Sequence, residues 1–256
     1  MGLLGVIGGS GLYGLSPAAN SADAEGPAGA GPEAETQFVS SPWGPSSGPM
    51  VIYEVGSGEG VAFIARHGVG HTIAPHQVNY RANIHALREA GCDRILAVCS
   101  VGGIAPDCRP GALVVPDQLV DYTWGREATF QGPDDPVVHF DFTNPYSPEW
   151  RSQVTSALAG QGIEFIDGGT YAAVQGPRFE TAAEIRRLAA DGCHVVGMTG
   201  MPEAILAREA GLDYAAICPV GNLAAGISPE ELKMGDVIAA VGPEMEHVTA
   251  LITTLA

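Results

Sequence analysis

Met198-Thr199-Gly200-Met201-Pro202-Glu203-Ala204, the alanine-rich run that follows it, and Tyr214–Gly226 together decide the fold. A strand is predicted to end near Gly197, a helix to run from about Pro202 to Ala210, and a strand to return near Tyr214. A strand, a crossover helix and a second strand make the repeating unit of a parallel sheet, which lines up successive strand tips along one edge. Met198, Thr199 and Asn222 are thereby expected at the carboxyl edge, where open α/β sheets bind their ligands. The rest of the chain reads as supplying the remaining walls of one pocket at that edge.

Upstream, Gly169–Val174 is a predicted strand, followed by Gln175-Gly176-Pro177-Arg178-Phe179-Glu180-Thr181. Thr181 is a candidate N-cap for a helix over Ala182–Ala190. Phe179, just past a strand end, is either a core aromatic or a stacking platform. Downstream, apolar residues at Met234, Val237 and Ile238 precede a final helix expected from about Glu244. Taken alone, those three positions read equally as ordinary core packing.

Other predicted strands also end in small or polar turns. Arg94–Val98 runs into Cys99-Ser100-Val101-Gly102-Gly103, where small residues let a ligand approach the main chain. Cys99 has no evident His/Asn partnership and reads as an inert buried thiol. Val61–Ala65 ends in Arg66-His67-Gly68, either a phosphate clamp, because Arg offers a planar fork of donors, or a surface pair capping the strand. Leu3–Ile7 feeds Gly8-Gly9-Ser10-Gly11, either a plain tight turn or a nest of N–H groups for an anion with the Ser10 hydroxyl beside it. Gly9, Gly11 and Gly14 also match a dinucleotide fingerprint. That motif needs a helix and then a strand ending in an acidic residue, and the Ala/Gly/Pro-rich stretch of about 16–36 offers neither. It reads as a surface loop.

Phe38–Phe63 reads as hairpin structure and Val78–Ala90 as a helix. Leu113–Pro116 is a short strand and Trp150–Ala159 a helix. Tyr122–Tyr146 is expected to be irregular. His139, in an apolar run within it, taken alone is more often a structural histidine.

The 256 residues suit one large α/β domain, with a mixed, largely parallel central sheet flanked by helices. Only 12 Lys+Arg against a net charge of −17 argue against nucleic-acid binding. Five Cys without a CxxC or a Cys/His metal spacing suit reduced thiols, no metal and a cytoplasmic protein. No basic leader and no membrane span are read in the chain.

Several fragments together carry a family resemblance. They are Ile7-Gly8-Gly9-Ser10-Gly11, Arg66-His67-Gly68, Pro75-His76-Gln77-Val78-Asn79-Tyr80-Arg81, Gln175–Thr181 and Gly197–Glu203. The chain resembles the methylthioadenosine phosphorylase branch of the trimeric purine nucleoside phosphorylases from residue 3 to its end. The resemblance implies phosphorolysis of a purine nucleoside, with orthophosphate as co-substrate, no cofactor, and a homotrimer with shared active sites. It implies phosphate contacts from Ser10, Arg66, His67, Cys99, Ser100 and Thr199, with Cys99 standing where the family often has Thr or Asn. The turn at Val101 and Gly102, Met198 at the ribose and Phe179 at the base complete the nucleoside site. Met234, Val237 and Ile238 fall where relatives enclose the 5′ group, and His139 where a neighbouring subunit contributes a histidine.

The base-recognition positions depart from the adenine-selective pattern of two aspartates one residue apart; Asn222 and Ala224 stand there instead. A carboxylate accepts from the 6-amino group of adenine. An amide supplies a donor for O6 or N7 and an acceptor for N1–H, which suits a 6-oxopurine. The expectation is therefore S-methyl-5′-thioinosine cleavage. Plain inosine or guanosine, or methylthioadenosine if Asn222 tolerates adenine, are the alternatives within that chemistry. A nucleosidase, a nicotinamide-dependent oxidoreductase and a non-catalytic nucleoside binder are the readings outside it.

Overall fold

A computed structural model of the chain describes residues 2–9, 12, 35–55, 59–229, 232 and 234–256. The chain opens with β1 (Leu3–Gly8) and passes β2 (Glu35–Gln37), the small hairpin of β3 (Ser40–Ser41) and β4 (Gly44–Pro45), β5 (Met50–Val55) and β6 (Glu59–Ala65). Then come α1 (Tyr80–Glu89), β7 (Cys92–Val98), β8 (Val101–Gly103), β9 (Leu113–Val115) and β10 (Gln118–Asp121). The second half holds α2 (Pro148–Gly160), β11 (Ile166–Asp167), β12 (Thr170–Ala173), α3 (Ala182–Ala190), β13 (Val195–Gly197), α4 (Gly200–Glu209), β14 (Asp213–Leu223) and α5 (Met234–Leu255).

Among the described residues these form one mixed sheet in the order β10-β12-β13-β8-β14-β7-β1-β6-β5-β2, with β9 and β11 branching off β14. The centre is parallel, and its register aligns the strand tips: Gly8 lies opposite both Ala65 and Val98, and Val98 opposite Ile217. The residues that follow three of those tips are Gly9, Arg66 and Cys99, so one edge collects all three turns. β14 does not stop there. It runs on to pair with β8 from Val220, and a register shift between Val220 and Asn222 sets Asn222 opposite Gly102. A bulge of this kind re-aims a side chain at a sheet edge.

Strand alternation divides the core into two faces. Ile7, Ile64, Ile95 and Ala97 pack with Ile84 and Leu87 of α1 and Leu206 of α4. Leu4, Val6, Leu96 and Val98 pack with Trp150 and Val154 of α2 and Val248 and Leu251 of α5. Side chains at successive strand positions point to opposite faces, and both faces here are covered by helices. The indole of Trp150 donates to the carbonyl of Ile95 at 2.8 Å, which satisfies its one polar atom inside the core.

One boundary departs from expectation. The last helix begins at Met234 and continues through Pro243, ten residues before the expected start. Val241, Met245, Val248, Leu251 and Ile252 form a buried stripe at helical spacing. That packing outweighs the local break signal of Gly242-Pro243. The stretch of about 16–36 lies outside the described residues except for Glu35 and Thr36, which belong to β2.

Candidate active site

A cavity of about 430 Å³ opens at the carboxyl edge. It is lined by Gly9, Arg66, His67, Cys99, Ser100, Val101 and Gly102 from the strand tips, by Met198, Thr199 and Asn222 from the stretch that opened the reading, and by Phe179. Eleven positions from scattered parts of the chain therefore meet in one space. The remaining expected residues divide. Ser10 lies outside the described residues. Met234, Val237 and Ile238 sit on the first turns of α5, and their side chains lie outside what is described. Ala224 is buried behind Gly102, donating its N–H to the Gly103 carbonyl at 2.8 Å, and does not line the cavity. His139 is exposed and does not line the cavity of its own chain.

Arg66 corrects the picture of an open donor fork. It is 1% exposed and forms a two-point pair with Glu203 of α4, Nε to Oε2 at 2.7 Å and Nη2 to Oε1 at 2.8 Å. Nη2 also donates to the Ile7 carbonyl and Nη1 to the Val98 carbonyl. A single Nη1–H is left for a ligand. Glu203 also accepts from the Tyr214 hydroxyl at 2.9 Å, so its carboxylate is well satisfied although fully buried. The guanidinium therefore brings one directed donor, with its charge matched inside the protein.

His67 is likewise not a cation. Its Nδ1 lies 2.8 Å from the Ile73 carbonyl, and a carbonyl only accepts, so Nδ1 carries the proton. The ring stacks on His71 with centroids 4.4 Å apart. Burial first, and the neighbouring Arg66 second, push its pKa down to about 4.

Thr199 holds the N-cap position of α4 without a side-chain capping bond, and is buried. Its hydroxyl lies 3.6 Å from the Cys99 sulfur, while its N–H donates to the Tyr171 hydroxyl. Burial pushes the Cys99 thiol up, so it remains a neutral thiol and not a nucleophilic thiolate. The Ser100 hydroxyl is buried with no hydrogen-bond partner among the described residues. An orphan hydroxyl in a cavity wall is a ready partner for an incoming polar group.

The other end of the cavity is built from two loops pressed together. Gly176 has φ +62°, and a Cβ there would stand 2.5 Å from the Met198 sulfur, so only glycine lets the loop that carries Phe179 close on Met198. Asn222 turns its amide nitrogen to the Leu223 carbonyl at 2.8 Å. Its second N–H and its Oδ1 remain available.

Sequence reasoning missed Glu180, which lines the same cavity. Its pKa is raised by burial. Arg178, two residues back, is tied at two points to Glu184, both at 2.8 Å. Glu180 thus has no ion pair among the described residues and shares the cavity lining with Asn222. The available signal was an acidic residue directly after the candidate stacking aromatic. His71–Pro75, Pro177, Val196 and Gly197 complete the lining. A second cleft of about 340 Å³ lies beyond Glu180 and contains Arg178 and Arg187; no expected site residue lines it. Among the described residues no group of three His, Cys, Asp or Glu is placed to hold a metal ion, and no helix is long and apolar enough to cross a membrane.

Comparison with known proteins agrees with this geometry. A family described as the phosphorylase superfamily matches residues 3–256. A probable S-methyl-5′-thioinosine phosphorylase of Xanthomonas campestris pv. campestris is 47% identical over 255 residues, covering 99% of this chain and 96% of that protein. A 6-oxopurine nucleoside phosphorylase of Pyrococcus furiosus is 42% identical, covering 97% and 90%. The solved methylthioadenosine phosphorylase of Schistosoma mansoni in complex with adenine superposes with a TM-score of 0.87 at 32% identity, covering 98% of this chain and 89% of that one.

Proposed function

The chain belongs to the phosphorylase superfamily, and from that premise we propose that it cleaves 6-oxopurine nucleosides with orthophosphate, S-methyl-5′-thioinosine foremost. The products are hypoxanthine and 5-methylthioribose 1-phosphate. The observation that carries the reading is Asn222 and Glu180 in one cavity wall system, where adenine selectivity would call for aspartate at position 222. An amide N–H can donate to O6 or N7 of hypoxanthine, and a carboxylate can accept from N1–H. Adenine offers no proton at N1 and no acceptor at position 6, so Glu180 could accept only from its 6-amino group and the Asn222 donor would lose O6 as a partner.

The reaction follows from the residue types. As the glycosidic bond breaks, positive charge grows on the sugar and negative charge on the departing purine. Phosphate held under the sugar stabilises the first and then bonds to the anomeric carbon. The Asn222 amide stabilises the second. In this reading the phosphate is held by the free Nη1–H of Arg66, the hydroxyls of Ser10, Ser100 and Thr199, and main-chain N–H groups of the strand-tip turns. His67 borders it as a neutral ring. Phe179 stacks on the base, Met198 packs on the ribose, and Met234, Val237 and Ile238 enclose the methylthio group. No protein nucleophile is needed; the protein contributes position and oriented dipoles. His139 reaches a neighbouring subunit's site, and the active unit is a homotrimer. The apolar exposure of Val137 and Val138 beside it supports that assembly.

Steady-state rates with methylthioinosine, methylthioadenosine, inosine and guanosine, each with and without phosphate, test the proposal. Phosphate-dependent turnover with methylthioinosine ahead is expected, and N222D should lower kcat for it by about 10²–10³-fold, the usual consequence of losing one oriented donor at a leaving group. A preference for methylthioadenosine, or turnover without phosphate, would sink it.

A further inference from the structure

Arg126 lies outside the cavity yet bonds to the segments that carry two of its walls. It belongs to the segment 122–147, which has no helix or strand. Its Nη1 donates to the carbonyls of Met198 at 2.9 Å and Met201 at 2.5 Å, and to the Tyr80 hydroxyl at 3.3 Å. Its Nη2 donates to the carbonyls of Gln175 at 2.8 Å and Val174 at 3.3 Å, and its Nε to Gln175 Oε1 at 3.2 Å. The guanidinium carbon stands 5.6 Å from the Tyr80 ring centroid. Tyr80 in turn donates to the Pro75 carbonyl at 2.9 Å. Met198 and Pro75 both line the cavity, and Gln175 opens the turn that delivers Phe179 and Glu180 to it.

The acceptors are all neutral. No carboxylate pairs with Arg126 among the described residues. The side chain is therefore not there to neutralise charge. It is there as a planar fork with five N–H groups, and no other side chain can meet carbonyls on two separate loops and a hydroxyl on a helix at once. Lysine would keep the charge and lose the geometry.

We propose that Arg126 is a positioning residue for phosphorolysis, fixing the separation between the sugar wall at Met198–Thr199 and the base wall at Phe179–Glu180. The inference rests on the nucleoside phosphorylase reading above. Cleavage needs the sugar, the phosphate beneath it and the base in line. The two loops that carry those walls leave paired strands and touch at Gly176 and Met198, and beyond that contact this guanidinium ties their carbonyls together. A misplacement of about 1 Å at a distance from the chemistry can reduce rate about 10²-fold.

The test compares wild type, R126K and R126A, with kcat and KM for methylthioinosine and for phosphate, and with thermal unfolding of each. The expected result is folded variants whose kcat falls about 10²-fold, with R126K no better than R126A. Methylguanidinium at millimolar concentration is expected to restore part of the R126A rate, because the site is partly open, and to leave R126K unchanged. If R126A does not fold, R126K alone decides. A wild-type kcat in R126K, or a loss that tracks the unfolded fraction and ignores methylguanidinium, overturns the inference while leaving the phosphorylase reading standing. A wild-type protein inactive on every nucleoside overturns both.

Discussion

Arg66 and Glu203 cancel each other's charge in the cavity wall, and His67 adds none. Phosphate held there, as proposed, would meet directed N–H and O–H dipoles more than net positive charge. Losing either member of the Arg66–Glu203 pair would strand a buried ion, typically at about 3–5 kcal/mol. His67 yields a prediction about pH. Its pKa is about 4 when folded, against 6.5 for an unperturbed ring. Between those values the unfolded chain holds more protons than the folded one, so stability falls as pH falls through that window. Wild type should lose up to about 3 kcal/mol over that range that H67N does not lose. Urea unfolding at a series of pH values measures it, and parallel curves for the two proteins would show that the ring is not held neutral.

At the scale of elements, the start of α3 and the end of β14 place the residues proposed to recognise the base. α3 begins with a complete capping box: Thr181 Oγ accepts from the Glu184 N–H at 3.1 Å, and Glu184 accepts from the Thr181 N–H at 2.7 Å. The same Glu184 ties down Arg178, so one carboxylate anchors the chain on both sides of Phe179 and Glu180. T181A should therefore destabilise the protein by about 1 kcal/mol, the usual worth of a cap. It should also raise KM for the nucleoside more than KM for phosphate. Thermal unfolding and two-substrate kinetics check both halves, and an unchanged nucleoside KM would separate the cap from the site. In β14, a register shift within its parallel pairing to β8, between Val220 and Asn222, sets Asn222 opposite Gly102. In α5, the buried stripe on either side of Pro243 holds the helix together where local chemistry would end it.

For the whole molecule, an acidic surface is interrupted by an apolar stretch. Val137 is 76% and Val138 60% exposed, flanking His139, and Trp124 is 72% exposed in the same irregular segment. Contiguous apolar exposure of this kind marks a surface that another molecule covers. In the proposed trimer this segment carries His139 into a neighbour's nucleoside site. V138D should place an unpaired charge in that contact, shift the protein to monomer at micromolar concentration, and remove most of the activity with it. Light scattering after size exclusion, read beside turnover, decides the point; a fully active monomer would rule out a shared site.

The order of strands, turns and helices was legible because each signal is local. Apolar runs end in Gly8-Gly9, Arg66-His67 and Cys99-Ser100, and Thr181 precedes its helix at capping distance. A parallel sheet then leaves little freedom about where those turns go; the residue types at its edge offered an anion site, and the nucleoside came with the family resemblance. Tertiary structure alone decided which partner each donor serves. Arg66 could have offered its fork to a ligand or to a carboxylate, and Glu203, 137 residues away, took two of its N–H groups while two carbonyls took two more. Arg126 is an ordinary arginine in an irregular segment until the fold sets carbonyls of separate loops around it, and Pro243 ends a helix until the sheet supplies a surface for that helix to lie on. Hydrogen-bond partners and buried stripes depend on distances that only packing creates, and no local pattern encodes them.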